Sequence, residues 1–474
     1  MGLCLGSFLN AVIYRLPRQY SLHSPLWSIC PACRHRVKWY DNLPVVSFIL
    51  LRGRCRNCDV PISTRYLVIE TTMALIVLML LDAFFIGQVR AGLIDSRFGL
   101  TDRLWSDWPI FLAHIILFSS LLPMSAIDLE HYWVDVRFTN FAAAAGFVLH
   151  TLWTPRHSTE WVRPCDATAV VCLCALIGMG IYWLVLVCQL HDTPEALDDE
   201  EVYEPPRPPS PEVKSPRRPP PSLASPSRAV GWVSGLMLLG LFTILLLDEG
   251  ADMQLRHTGR GLLPLTLFFG LIVWESSVQR VSDQQIIDAI HEERYLARRM
   301  VLHEFAHLLP ALIGGLLGWW IMHSGENLSG TVSQAVHARV ISGDSGPFRH
   351  WSPLMGLATA ASGYMIAGAV GWAVRIFFTL VFGKEAFGVG DIHLMAAAGC
   401  IAGWPIVVIG FFLTCGLALM GWVASLPFKR SRALPLGPWL SLAFLTVTLF
   451  YDSILRWPMI ERTIDVAGAW FFRN

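Results

Sequence analysis

Two aspartates stand where an ionisable side chain is expensive. Asp128 closes the apolar run LLPMSAID, and Asp391 follows Gly388-Val389-Gly390 at the head of another apolar stretch. A carboxylate in or beside a membrane segment is a functional candidate by default, because its desolvation has to be offset by some role. Two carboxylates within hydrogen-bonding reach do not both ionise readily, so one keeps a proton while the other acts as general base on water. This is the aspartic-protease arrangement, and it needs no metal or cofactor. The Gly-x-Gly element suits it, since glycine lets the backbone pass close to a neighbour or an extended peptide and sets the next side chain at the mouth of the following helix. Spacing alone leaves a plainer alternative open, with one aspartate ending a helix and the other capping the start of one.

Four cysteines carry a second chemistry. Cys30-Pro-Ala-Cys33 and Cys55-Arg-Asn-Cys58 are flanked by Arg and Trp rather than by apolar sequence. Four thiolates in two such pairs suit a closed tetrahedral structural zinc site. Two disulfides are the other reading, and a reducing cytoplasmic loop argues against them. A third signal competes: His303-Glu304-Phe305-Ala306-His307 is a formal HExxH, which on a helix would present both histidines to zinc with Glu304 as base. Pro310 follows it closely, and no third ligand announces itself.

The elements that must position these residues are membrane helices. The chain is 54% hydrophobic and 15% charged, against roughly 25% charged in ordinary soluble proteins. Leu67 to Ile86, Pro109 to Ala126, Ala167 to Leu190, Val230 to Leu247 and Ile406 to Val423 each supply the roughly 20 apolar residues that a bilayer crossing takes. The loop before the first of these holds Arg15, Arg18, Arg34, Arg36, Lys38, Arg52, Arg54, Arg56 and Arg65 against Asp41 and Asp59, so it is expected on the cytoplasmic side. The opening run MGLCLGSFLNAVIYRLP is short for a span and has no signal-peptide character, which predicts a true start upstream. From His191 to Arg228 the chain is rich in Pro and Ser, with an acidic and then a basic half, and reads as a disordered linker. Val281 to Glu304 reads as an amphipathic surface helix or as an extension of the next span. From Leu354 to Leu426 the abundance of Gly and Ala predicts a tightly packed bundle core. No internal repeat is visible.

Several stretches together resemble the bacterial prepilin peptidases, or type IV leader peptidases, bifunctional enzymes that cleave a leader and N-methylate the new terminus. They are GSFLNAVIYRLP, the two cysteine pairs enclosing WYDNLPVVSFILLRGRC, PISTRY through Glu70, AIDLEH, FGKEAFGVGDIHLMAAAGCIAGW and LPLGPWLSL. The resemblance implies that Asp128 and Asp391 are the catalytic pair of a GxGD-type aspartyl peptidase, with Gly388, Gly390 and Asp135 in support. It implies pilin or type II secretion pseudopilin precursors as substrates, S-adenosylmethionine as methyl donor, and a multi-pass position in the bacterial inner membrane with the site at the cytoplasmic face. Glu70, and less so Asp41 and Asn42, are the candidates for the methyl donor's site. Three departures stand out. HYWVD follows Asp128 where the family has a Pro before its acid. The two aspartates are much further apart than the family's spacing. Leu67 and Ala74 replace a favoured Pro and Gly around Glu70.

The expected fold is an all-α polytopic membrane protein with a small N-terminal zinc-binding cytoplasmic module on Cys30, Cys33, Cys55 and Cys58. The expected organisation is a first membrane segment at 1–15, the four-cysteine module at 16–66, the first part of the bundle with Asp128 at 67–154, and an insertion with extra membrane segments at 155–350. A peptidase core at 351–457 and a tail at 458–474 complete it. The expected partners are the precursors and the lipid bilayer, with nothing pointing to nucleic acid. The competing readings are a zinc metallopeptidase acting through His303, Glu304 and His307, and a catalytically silent membrane assembly protein.

Overall fold

The computed structural model describes residues 1–22, 27–87, 93–94, 99–131, 134–153, 166–191, 265–272, 297–324, 353–385, 387–425 and 435–455. Within them the secondary structure is helical apart from two isolated β-bridges. The longer helices are α1 (Gly2–Arg15), α2 (Arg65–Leu81), α3 (Leu100–His131), α4 (Val136–Leu152), α5 (Asp166–His191), α6 (Ala297–Ser324), α7 (Pro353–Phe382), α8 (Val389–Ala402), α9 (Trp404–Ser425) and α10 (Gly437–Leu449).

Among the described residues, 6 helices are long and apolar enough to cross a bilayer: α2 with its continuation to Ile86, α3, α5, α6, α7 and α9. The expected spans at 67–86, 109–126, 167–190 and 406–423 fall within four of these. The one at 230–247 lies outside the described residues, as do the linker from 192 to 228 and residues 281–296 of the expected amphipathic helix. Residues 297–304, which close that expected helix, form the first turns of α6 and run straight on into its span. The extension reading therefore describes the part that is seen.

The polar module is built on two knuckles with one hydrogen-bond pattern. In the first, Cys30 N–H donates to His35 O at 3.0 Å and Val37 N–H to Ser28 O at 2.8 Å. In the second, Cys55 N–H donates to Val60 O at 2.9 Å and Ile62 N–H to Gly53 O at 2.7 Å. Each knuckle turns on a residue in the left-handed region just after its second cysteine, Arg34 at φ 55° and Asp59 at φ 53°. The sequence hides this local repeat because only the cysteines are shared. Arg56 binds Asp41 through two nitrogens, at 2.6 and 2.9 Å, and the guanidinium holds that carboxyl below its usual range. Such an exposed pair contributes little to stability, and it leaves Asp41 engaged within the module.

The module is tied to the bundle at the foot of α2. Asn10 Nδ2 donates to Tyr66 O at 3.1 Å, and Val45 N–H donates to Glu70 Oε2 at 2.7 Å. Val45 has φ 62°, a costly conformation for a β-branched residue, and the Glu70 carboxylate secures it. Gly6 lets α1 lie directly on α2: a Cβ there would come within 2.6 Å of Glu70 Cα. Small residues at such crossings let helices approach closely in lipid. Arg65, at the start of α2, pairs with Glu130, near the end of α3, so the module and the last turn of α3 share one end of the bundle.

Two helices are too short to cross. The 14 residues of α8 and the 13 of α10 make rods of about 20 Å, less than the roughly 30 Å of a hydrocarbon core. Nearly every residue of each is buried. The Gly and Ala content read from 354 to 426 accounts for this, because Gly399 of α8 and Gly363 of α7 meet where either Cβ would strike the other's carbonyl oxygen, at 2.3 and 2.1 Å.

Candidate active site and metal centre

Asp128 lies in the last turn of α3, and Asp391 lies in the first turn of α8 behind the N-cap Gly388. They are only 5% and 8% exposed, so neither is a solvated surface acid. Both border one cavity of about 440 Å³, together with Val134, Glu385, Gly388, Gly390 and Leu436.

The floor between them is the start of α10. Gly437 N–H donates to Asp128, and a Cβ on Gly437 would stand 2.8 Å from Asp128 Oδ2 and 3.5 Å from Asp391 Oδ1. One missing side chain thus defines the point where both carboxylates converge. A helix N-terminus offers backbone N–H groups without intrahelical partners and a positive dipole end, and here those of α8 and α10 meet. Pro438 follows Gly437 at no cost, since the first turn of a helix leaves its N–H groups unpaired. Asp391 Oδ1 is buried and has no hydrogen-bond partner among the described residues. A buried polar atom left open in this way calls for a ligand or a water.

The two glycines of the GVGD element are needed for approach, not for a left-handed backbone. A Cβ on Gly390 would fall 2.6 Å from Val134 Cβ, and one on Gly388 would fall 3.2 Å from Asp391 Oδ2. Neither aspartate is a cap: Gly388 holds the N-cap position of α8, and Asp128 precedes the end of α3. Asp135 does cap. Its side chain accepts from Arg137 N–H at 2.9 Å at the head of α4 and pairs with the Arg137 guanidinium at 2.7 Å, and it is not among the cavity residues. Its neighbour Val134 is the residue that reaches the cavity.

Glu70 sits apart from the aspartates, against Val45 N–H and the Ser7 hydroxyl. The Glu304 carboxylate of the HExxH segment is bound by Arg375, with both contacts at 2.8 Å. His307 pairs with the Tyr182 hydroxyl. Among the described residues His303, Glu304 and His307 do not assemble as a metal cluster, whereas Cys30, Cys33, Cys55 and Cys58 do, with ligand atoms all within 4.8 Å of one another. None of the four is in a disulfide. Cys30 Sγ and Cys58 Sγ are 3.9 Å apart, close to the roughly 3.8 Å edge of a tetrahedron with metal–sulfur bonds of about 2.3 Å. The N–H groups of Asn57 and Cys58 hold the Cys55 thiol down at about 7, while desolvation and the neighbouring thiols push Cys58 up to about 12, so the cluster favours one thiolate and a bound cation would draw out the rest. The cluster can hold a metal ion.

Residues 1–84 match the family described as Bacterial Peptidase A24 N-terminal domain. The chain is 38% identical over 149 residues to the prepilin leader peptidase/N-methyltransferase of Myxococcus xanthus, covering 31% of this chain and 38% of that protein. It is 43% identical over 103 residues to the protein so named in Vibrio cholerae, covering 20% and 38%. Over these stretches the chain is similar to proteins named prepilin leader peptidase/N-methyltransferase. A further relative of that name, from Burkholderia pseudomallei, is 34% identical over 211 residues, covering 39% of this chain and 58% of its own length. The chain thus spans between 38% and 58% of the length of these relatives. No solved structure matches the chain.

Proposed function

We propose that this protein is an aspartyl peptidase of the bacterial inner membrane that removes leader peptides from type IV prepilins or type II secretion pseudopilins. The observation that carries the reading is the convergence of the buried Asp128 and Asp391 carboxylates on the point left open by Gly437. Two carboxylates in one buried site share a proton, because the second ionisation must be made against the first charge. In the reaction the ionised member takes a proton from water as its oxygen attacks the scissile carbonyl carbon. The protonated member gives its proton to the carbonyl oxygen. Collapse of the tetrahedral adduct breaks the C–N bond: the new amine leaves with the proton that came from water, and a hydroxyl of the adduct returns its proton to the aspartate that protonated the carbonyl oxygen. Gly388 and Gly390 allow an extended peptide to pass beside Asp391.

The ion pair between Arg65 and Glu130 supports a site at the module's end of the bundle, and the excess of Arg in the loop supports a cytoplasmic position for that end. The engagement of Glu304 by Arg375 argues against a base role for it in a metallopeptidase. The family's methyl transfer, and S-adenosylmethionine with it, is the second activity we propose, with Glu70 as its nearest candidate. Leu67 and Ala74 depart from the family around that residue, so cleavage is the primary claim. The test is the N-terminal mass of a co-expressed pilin precursor: wild type removes the leader, and a change at either aspartate leaves it on. The same spectrum reads a gain of one methyl.

We assign zinc to Cys30, Cys33, Cys55 and Cys58, where it would close the two knuckles into a fold. Purified protein is expected to contain about one zinc per chain by emission spectrometry, as a closed four-cysteine site demands. Cys33→Ser is expected to lose most of it and to make residues 16–66 readily cut by trypsin, since site and fold form together. A zinc-free protein whose module resists trypsin as well as the wild type would refute the assignment.

A further inference from the structure

Arg375 lies within the apolar helix α7 with its side chain only 3% exposed. A guanidinium in such a place is costly unless it is fully paired. Its partners come from two directions. Nε and Nη2 bind Glu304 of α6, both at 2.8 Å, while Nη1 binds Glu385 and the Phe387 carbonyl. Glu385 borders the cavity of the two aspartates, and Phe387 immediately precedes Gly388. One side chain therefore holds two points of the segment that leads into Asp391.

The same helix touches the start of that segment. Gly383 turns the chain at φ 64°, and a Cβ there would lie 3.3 Å from Arg298 Nη2 of α6. The space enclosed by Val301, Arg375, Thr379 and Glu385 is about 10 Å³, room for one water at most. The Arg375 contacts are thus direct, with the guanidinium buried and the Glu304 and Glu385 side chains 22% and 35% exposed. Glu304 and Arg298 both belong to the segment at 155–350, which lies outside the stretches that resemble the family.

We propose that Arg375, anchored by Glu304, is the positioning residue for the 383–391 segment, so that the inserted helix α6 sets where the Asp391 carboxylate stands. The proposal rests on the aspartyl-peptidase reading for its effect on rate, but its structural half stands alone. Neither Arg375 nor Glu304 touches the reacting atoms.

The experiment uses the full chain in lipid nanodiscs, comparing wild type with Glu304→Ala, Glu304→Gln and Arg375→Met by hydrogen–deuterium exchange and by cleavage of a precursor. Glu304→Ala and Arg375→Met are expected to speed amide exchange in 383–391 at least about ten-fold while the four-cysteine module and α10 keep wild-type rates. A displacement of the Asp391 carboxylate by about an ångström is expected to lower kcat about ten- to a hundred-fold with KM within about three-fold. Glu304→Gln, whose amide oxygen still accepts from Arg375, is expected to retain at least about a third of wild-type kcat, as no general base would. Should Arg375→Met fail to insert, Glu304→Ala decides, because Glu385 still pairs the guanidinium. Unchanged exchange at 383–391 in a folded variant overturns the proposal, as does a pure KM effect. If Asp391→Asn still cleaves, the aspartyl reading fails instead, and the exchange result continues to judge the positioning role.

Discussion

Asp128→Asn and Asp391→Asn are each expected to lower kcat for precursor cleavage by about a thousand- to ten-thousand-fold, the upper part of what a positioned acid or base contributes. The two carboxylates border one cavity and both approach the point left open by Gly437, so they are expected to act as a unit. The double variant should then be no slower than the worse single one, since groups that work together give strongly non-additive losses. Asparagine is nearly isosteric with aspartate, so the bundle should keep its thermal stability, and KM should move little. Steady-state kinetics on purified protein in nanodiscs checks this. Additive losses in the double variant would mean that the two side chains serve separate tasks.

Gly437→Val is expected to have the second largest effect. A Cβ at this position would come within 2.8 Å of Asp128 Oδ2, too close for a real contact, and the side chain that can give way is the Asp128 carboxylate itself. Gly437→Ala should therefore fold, turn that carboxylate away from the Gly437 N–H and reduce kcat about a hundred-fold, the size expected for a displacement of about an ångström. The two further methyls of valine would occupy the place where substrate or water must stand, and should bring the loss to that of the aspartate variants. Little change in kcat for Gly437→Ala, with the protein folded, would show that the start of α10 is not part of the site.

The two aspartates were legible in the sequence because a carboxylate in an apolar run has few other reasons to be there. The four cysteines were legible because their pairing is local. Gly437 was not: a glycine before a proline at a helix start looks like any turn, and its value lies in an absent side chain seen only from α3 and α8. Arg375 was missed for a similar reason. A single arginine in an apolar run does not reveal its partners, which come from two segments far apart in the chain. The HExxH match shows the converse, since correct local spacing was matched by a carboxylate already held by an arginine on another helix. Asp135, considered as a supporting acid, caps α4, a role that any aspartate before a helix can take. The short lengths of α8 and α10 were hidden by an apolar content that does not distinguish a buried half-span from a full crossing.

The helical bundle follows from composition, but the convergence of α8 and α10 on the last turn of α3 does not. It depends on Gly363, Gly399 and Gly390 being small enough for backbones to meet. Small residues are read easily as permission to pack closely; which surfaces they bring together is a tertiary matter.

The most direct test of the central claim is mass spectrometry of the N-terminus of a pilin precursor co-expressed with wild type, Asp128→Asn or Asp391→Asn at matched membrane levels. The expected result is a shortened N-terminus with wild type and the full leader with either variant. Continued removal of the leader by both variants would contradict an aspartyl mechanism at Asp128 and Asp391.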